Sequence, residues 1–232
     1  QLHRASSIRE GKEGEDRVVP SHPQPDSFFD TLSDDAKQKK ETTFPAAVLT
    51  WPEGIAQTIL TRRSTRGYTG EAFLQEELAA VLGYGYQTTL SHPGSFFNPS
   101  LLSTYLVVQK VIGLPAGIYV YDPKHNAAYL LKAGHFNKQT THFCLGQELA
   151  THAAALVIHM AHLQTSLDQY GDRAYRYLHL DAGHIGERIN LAAVHMGLGV
   201  SGIGGFYDDE VNALLGLSLG WIVVYITTLG RP

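Results

Sequence analysis

Apolar positions are scattered over residues 1 to about 45 and become dense and periodic from Trp51 onward. The first stretch is rich in Ser, Pro, Lys, Glu and Asp, so it can bury little surface and is expected to be a polar arm, extended or partly mobile. Phe28-Phe29 is its exception and is expected to dock on the body, which spans residues 46–232. There, Ile55, Ile59 and Leu60 keep helical spacing up to the basic pair Arg62-Arg63, and Leu74–Leu82 forms a second helix closed by Gly83. Tyr105–Gln109 reads as a strand. Gly117–Tyr121 and Ala127–Leu131 flank the turn-forming Asp122–Asn126 and read as a hairpin. Ala153–Met160 is a continuous apolar run of strand length, the pattern of a central strand covered on both faces. A long helix over Leu178–Met196 follows, then a glycine-interrupted strand over Val200–Phe206. A short helix over Asp208–Leu215 and a strand over Trp221–Thr227 complete the chain. The tally is an α/β (α+β) domain with a hairpin and two late central strands.

At 232 residues with 44% hydrophobic content, the chain can build one full core. A net charge of −4 offers nothing to nucleic acid or an anionic membrane surface. No apolar run approaches the ~20 residues that span a bilayer, and no hydrophobic signal region precedes the body. A cytoplasmic location is the expectation. The chain opens on Gln1 and not Met, which leaves open a trimmed chain or a piece of a longer one. The single cysteine, Cys144, sits between Phe143 and Leu145 and reads as a buried thiol. The 12 histidines show no metal-ligand spacing and read as structural.

Five constellations could carry chemistry, and each also has a structural reading. Arg62-Arg63-Ser64-Thr65-Arg66 sets three guanidiniums around hydroxyls; it suits phosphate or polarised carbonyl oxygens, or equally a solvated helix end where arginines offset the dipole. Gly94-Ser95-Phe96-Phe97-Asn98-Pro99 is a loop between a helix and a strand. Ser201-Gly-Ile-Gly-Gly-Phe206 packs glycines where they weaken a strand, unless a bulge is needed or another group must approach the backbone. Its setting is not that of a dinucleotide-binding turn, which follows an early strand and opens a helix. Gln169-Tyr170-Gly171 leads an Arg/Tyr-rich turn, and Arg231 stands just beyond the last strand.

Taken together, RRSTRGY, the Ser95/Asn98 loop, QYGDRAYRYLHLDAGH and LAAVHMGLGVSGIGGFYDDEVNALLGL resemble the flavin-dependent nitroreductase superfamily. Within it they resemble the SagB-type dehydrogenases, which include azoline oxidases. The resemblance covers about residues 50–232. It implies a three-layer sandwich, a mainly antiparallel central sheet flanked by helices, in an intertwined homodimer with FMN at the subunit interface. By resemblance, Arg62, Arg63, Ser64 and Arg66 hold the FMN phosphate, ribityl chain and pyrimidine edge. Ser95 and Asn98 approach the flavin from the partner subunit, Gly204 and Gly205 direct backbone N–H at the ring, and Arg231 adds a cation for the phosphate. Tyr170 matches the tyrosine of the azoline oxidases' catalytic Lys-Tyr pair, and Gln169 replaces the lysine. A lysine can act as a base or lower a neighbouring phenol's pKa; glutamine can do neither.

Three readings follow from the resemblance. The first is an FMN-dependent oxidase converting a peptide- or carrier-borne azoline to an azole, with Tyr170 as proton acceptor. The second is an NAD(P)H-dependent nitroreductase or quinone reductase acting on a small molecule. The third is a degenerate flavin-fold subunit without turnover.

Overall fold

The computed structural model describes residues 41–45, 49–51, 54–91 and 101–232, the side chains of 87–91 excepted. Residues 1–40 of the expected arm, with Phe28-Phe29, and also Ser95 and Asn98 lie outside the described residues; the arm's end departs from the expectation, since Glu41–Thr43 is a strand paired with Ala127–Tyr129 and Phe44 is buried in the core.

In chain order the elements are β1 (Glu41–Thr43), α1 (Ile55–Thr61), β2 (Phe73–Leu74), α2 (Gln75–Ser91), β3 (Ser103–Val108), β4 (Val111–Ile112), β5 (Gly117–Asp122) and β6 (Ala127–Ala133). Then come α3 (Asn137–Phe143), α4 (Glu148–His152), β7 (Ala155–His162), α5 (Leu163–Tyr170), a 3₁₀ turn at Gly171–Arg173, α6 (Ala174–His195), β8 (Gly199–Ile203), α7 (Asp208–Leu215) and β9 (Trp221–Gly230). Seven strands form one sheet in the order β1-β6-β5-β3-β7-β9-β8. Every neighbouring pair in it is antiparallel. β2 and β4 make a separate parallel pair.

β7 lies inside the sheet, between β3 and β9, and its side chains are apolar on both faces. Val157 and Ala161 join the core under α2 and α6, where Leu78, Leu82, Leu178 and Ile185 meet them. Leu156, Ile158 and Met160 face the opposite core, closed by Phe143 of α3, Leu149 of α4 and Val211 of α7. Alternation along one strand thus feeds two helical layers, and each fully buried Leu or Ile contributes about 1.5–3 kcal/mol. The result is a three-layer sandwich with a mainly antiparallel sheet.

Several boundaries depart from the sequence pattern: α6 begins at Ala174, four residues before Leu178, and β9 runs past Thr227 to Gly230. α2 runs through Gly83 to Ser91 instead of stopping. Its Gly85 is needed there for packing, since a Cβ would stand 2.9 Å from Ile189 Cγ1 on α6. Arg188 of α6 fastens the same contact, its Nε donating to the carbonyl oxygens of Tyr84 (3.0 Å) and Gly85 (3.1 Å). β8 ends at Ile203, so Gly204 and Gly205 lie beyond the strand. Helices α3, α4 and α5 carry too little apolar periodicity to be legible in the sequence. The buried His159 bonds through Nδ1 to the hydroxyls of Tyr86 and Thr104, both at 3.3 Å, and burial pulls its pKa down to about 4. His162 caps α5 through Thr165. Both histidines are structural.

Candidate functional site

β8 is an edge strand of the sheet, and the chain after α1 lies along its outer side. Thr65 N–H donates to the Val200 carbonyl (2.9 Å), and Val200 N–H donates to Thr65 Oγ1 (3.0 Å). Three residues on, the Tyr68 hydroxyl donates to the Thr228 carbonyl at 3.0 Å, and Thr69 N–H donates to the Arg231 carbonyl at 3.0 Å. Gly199 pairs with Gly230 at the same end of the sheet. These tethers bring Arg62–Arg66 and Arg231, more than 160 residues apart, to one corner.

The corner's cations are not equivalent. Arg62 Nε stands 3.5 Å from Glu187 Oε1 on α6. Arg63 folds back, its Nη1 donating to the carbonyls of Leu60 (3.1 Å) and Arg62 (2.7 Å), so it serves the end of α1. Ser64 is half-buried and Arg66 exposed. Arg231 Nη2 donates to Glu77 Oε2 at 2.7 Å, and the same carboxylate accepts from Leu74 N–H at the start of α2.

The glycines divide by purpose. A Cβ on Gly199 would stand 2.9 Å from Tyr68 Cε1, and one on Gly202 would overlap the Tyr225 hydroxyl. Those two are glycine because tyrosines occupy the space. Gly204 differs, for among the described residues nothing beyond its chain neighbours lies within 4 Å of where its Cβ would be. At Gly205 only Leu145 Cδ1 comes near, at 3.1 Å. Directly after them, His142, Phe206, Tyr207, Asp208, Asp209 and Glu210 line an open cavity of about 430 Å³. Burial raises the Asp208 pKa. The sequence reading did not single out this cavity, since His142 is brought to Phe206–Glu210 only by the fold.

Tyr170 ends α5, half-buried, with its ring edge-on to Tyr177 at 5.5 Å. Gly171 turns the chain there at φ 59°, a conformation that favours glycine. The neighbouring Gln169 Oε1 is buried without a hydrogen-bond partner among the described residues. α5 hangs from the end of β7 that pairs with Trp221, whereas Arg231 follows the end that pairs with Leu229. Tyr170 is thus built off the opposite end of the strand from the basic corner.

In chemical terms the edge of β8 offers guanidiniums and a hydroxyl at one end and bare backbone at the other. That donor set fits a ligand with an anionic terminus, a polar chain and a flat ring, and so fits FMN. Among the described residues no cluster of His, Cys, Asp and Glu could hold a metal ion.

The model of the nitroreductase family matches residues 59–231. A protein of Methanocaldococcus jannaschii named as a nitroreductase is 28% identical over 166 residues, covering 69% of this chain and 83% of that one. A crystal structure from Anabaena variabilis, also named as a nitroreductase, superposes with a TM-score of 0.78 at 43% identity over 83% of this chain. This chain spans 41% of that protein's length. The Escherichia coli microcin synthetase McbBCD complex, with truncated pro-MccB17 bound, shares the fold at a TM-score of 0.61 and 15% identity, covering 87% of this chain and 82% of that one.

Proposed function

The chain belongs to the nitroreductase family of FMN-dependent oxidoreductases, and on that premise we propose that it passes electrons from NAD(P)H to a nitroaromatic or quinone acceptor. The observation that carries the flavin site is the corner itself: Thr65 and Thr69 dock the basic segment between Val200 and Arg231. In this reading Arg62, Ser64, Arg66 and Arg231 hold the phosphate and polar chain, with Arg63 steadying α1 behind them. Gly204 and Gly205 present backbone to the ring. FMN, when bound, supplies the two-electron exchange, and the protein orients it and controls what approaches. The cavity after Gly205, with Phe206, Tyr207 and His142 in its wall, offers a flat acceptor aromatic contact beside that backbone.

Domain and assembly follow from the same reading. Residues 46–232 form the flavin domain, and the chain pairs with a second copy. Ile59 and Leu60 on α1 are 54% and 71% exposed and Leu180 on α6 is 62% exposed, apolar side chains that a partner would cover. Ser95 and Asn98 would reach the flavin across that interface. Among the described residues no helix is long and apolar enough to cross a membrane, and a cytoplasmic place suits NAD(P)H chemistry.

The purified protein should be yellow, with a flavin absorbance band bleached by NAD(P)H under anaerobic conditions and restored by a quinone or nitroaromatic. A colourless protein that takes up no added FMN refutes this function. The Tyr170-Gly171 motif favours a second reading, SagB-type oxidation of an azoline on a peptide or carrier. There Tyr170 would accept a proton without a neighbouring lysine. A flavin inert to NAD(P)H but reduced by an azoline peptide would favour it over the reductase.

A further inference from the structure

Two glycines make room for one ring. A Cβ on Gly202 would stand 1.8 Å from the Tyr225 Oη, and one on Gly186 would stand 2.7 Å from its Cε1. Both are far inside van der Waals contact, so the phenol occupies a slot between the middle of α6 and the edge strand β8. From β9 the ring reaches across β8, and its tip overlies Gly202. A half-buried phenol ordinarily finds a hydrogen-bond partner. The Tyr225 hydroxyl has none among the described residues. Burial raises its pKa, Glu187 adds to the rise and Arg62 opposes it, so the hydroxyl keeps its proton as a donor.

Its place along β8 says what it faces. Val200 holds the basic segment through Thr65, Gly202 carries the Tyr225 hydroxyl, and Gly204 is open. These positions succeed one another over about 13 Å at ~3.3 Å per residue. A ligand with its phosphate among the arginines and its ring at Gly204 has to pass Tyr225 with its connecting chain.

We propose that the Tyr225 hydroxyl is a binding group for the flavin, donating a hydrogen bond to the phosphoribityl chain between the Arg62/Arg66 cations and the Gly204 backbone. The inference rests on the flavin reading above. Tyr225→Phe keeps the ring that fills the slot and removes only the donor. Deflavinated wild type and variant are titrated by fluorescence with FMN and with lumiflavin, which has the ring and lacks the chain. Ligand-free melting is followed by circular dichroism. The variant should bind FMN about tenfold more weakly, as expected for one hydrogen bond lost to a polar or charged oxygen. Lumiflavin affinity and ligand-free melting temperature should not change. Unchanged FMN affinity overturns the role of Tyr225 and leaves the flavin reading intact, and so does an equal loss toward lumiflavin. A wild type that binds no FMN fails at the flavin reading, and the inference falls with it.

Discussion

Replacing Arg62 and Arg66 together by alanine separates a flavin-binding corner from an ordinary basic helix end. Arg62 faces Glu187 at 3.5 Å with side chains 32% and 56% exposed. A pair so exposed is worth ~0–1 kcal/mol, so removing it costs the fold little. Arg66 is exposed, and its side chain makes no hydrogen bond or ion pair among the described residues. Toward a bound phosphate or ring carbonyl, each guanidinium would contribute about 1.5–3 kcal/mol through charge-assisted hydrogen bonds. Arg62 gives up its Glu187 contact to do so, which leaves a net of about 2–6 kcal/mol for the two. That range corresponds to a roughly 30- to 10⁴-fold weaker dissociation constant. The assay is fluorescence titration of deflavinated protein with FMN, beside circular-dichroism melting of the ligand-free form. The expected result is lost flavin affinity at a nearly unchanged melting temperature. Glu187→Gln, which frees Arg62, should bind FMN at least as tightly as wild type. A double variant with wild-type affinity refutes the assignment. Affinity lost only in step with a collapsed ligand-free fold would mean that these arginines hold up the structure.

Light scattering should give a dimer of the 25.4 kDa chain, and Leu60→Glu with Leu180→Glu should yield a monomer with weakened flavin binding; a flavin-loaded wild-type monomer contradicts the shared interface. Tyr170→Phe should leave FMN content and NAD(P)H-driven quinone reduction unchanged, and should lower any azoline turnover by ~10²–10⁴-fold, the span of a positioned acid–base group; equal azoline turnover by variant and wild type removes Tyr170 from the chemistry. His159 is neutral in the fold, its pKa lowered from 6.5 to about 4 by burial. The unfolded chain therefore binds the extra proton between those values, and stability that is full above pH 6.5 falls as pH drops toward 4, by roughly 3 kcal/mol in all. His159→Gln should flatten that part of the melting-temperature profile, and an identical pH slope in wild type and variant assigns the acid sensitivity to other groups.

The pattern of apolar residues determined much of the fold before any contact was seen. Ala153–Met160 read as a strand covered on both faces, and β7 (Ala155–His162) runs inside the sheet with alternate side chains in two cores. The spacing of Leu178, Ile185 and Ile189 likewise required a long helix with one buried stripe, and α6 supplies it. Such signals are local, carried by neighbours at periods of two or 3.6 residues, so a single sequence displays them. RRSTR and the glycine run stood out in the sequence as unusual concentrations of residue types, open there to structural as well as chemical readings.

Tertiary structure decided what each of those residues is for. Gly83 reads as a helix stop, yet α2 continues through it to Ser91, and Gly85 in that extension leaves room for Ile189, about a hundred residues away. Arg62, Arg63 and Arg231 look alike in the sequence, but one meets Glu187, one caps its own helix and one is held by Glu77. The glycines of β8 form one run, and only the packing of Tyr68 and Tyr225 distinguishes Gly199 and Gly202, which are filled over by rings, from Gly204, which is left open. The physical reason is common to all three cases. A residue's conformational preference is its own, but which atoms occupy the space around it depends on segments brought near by folding.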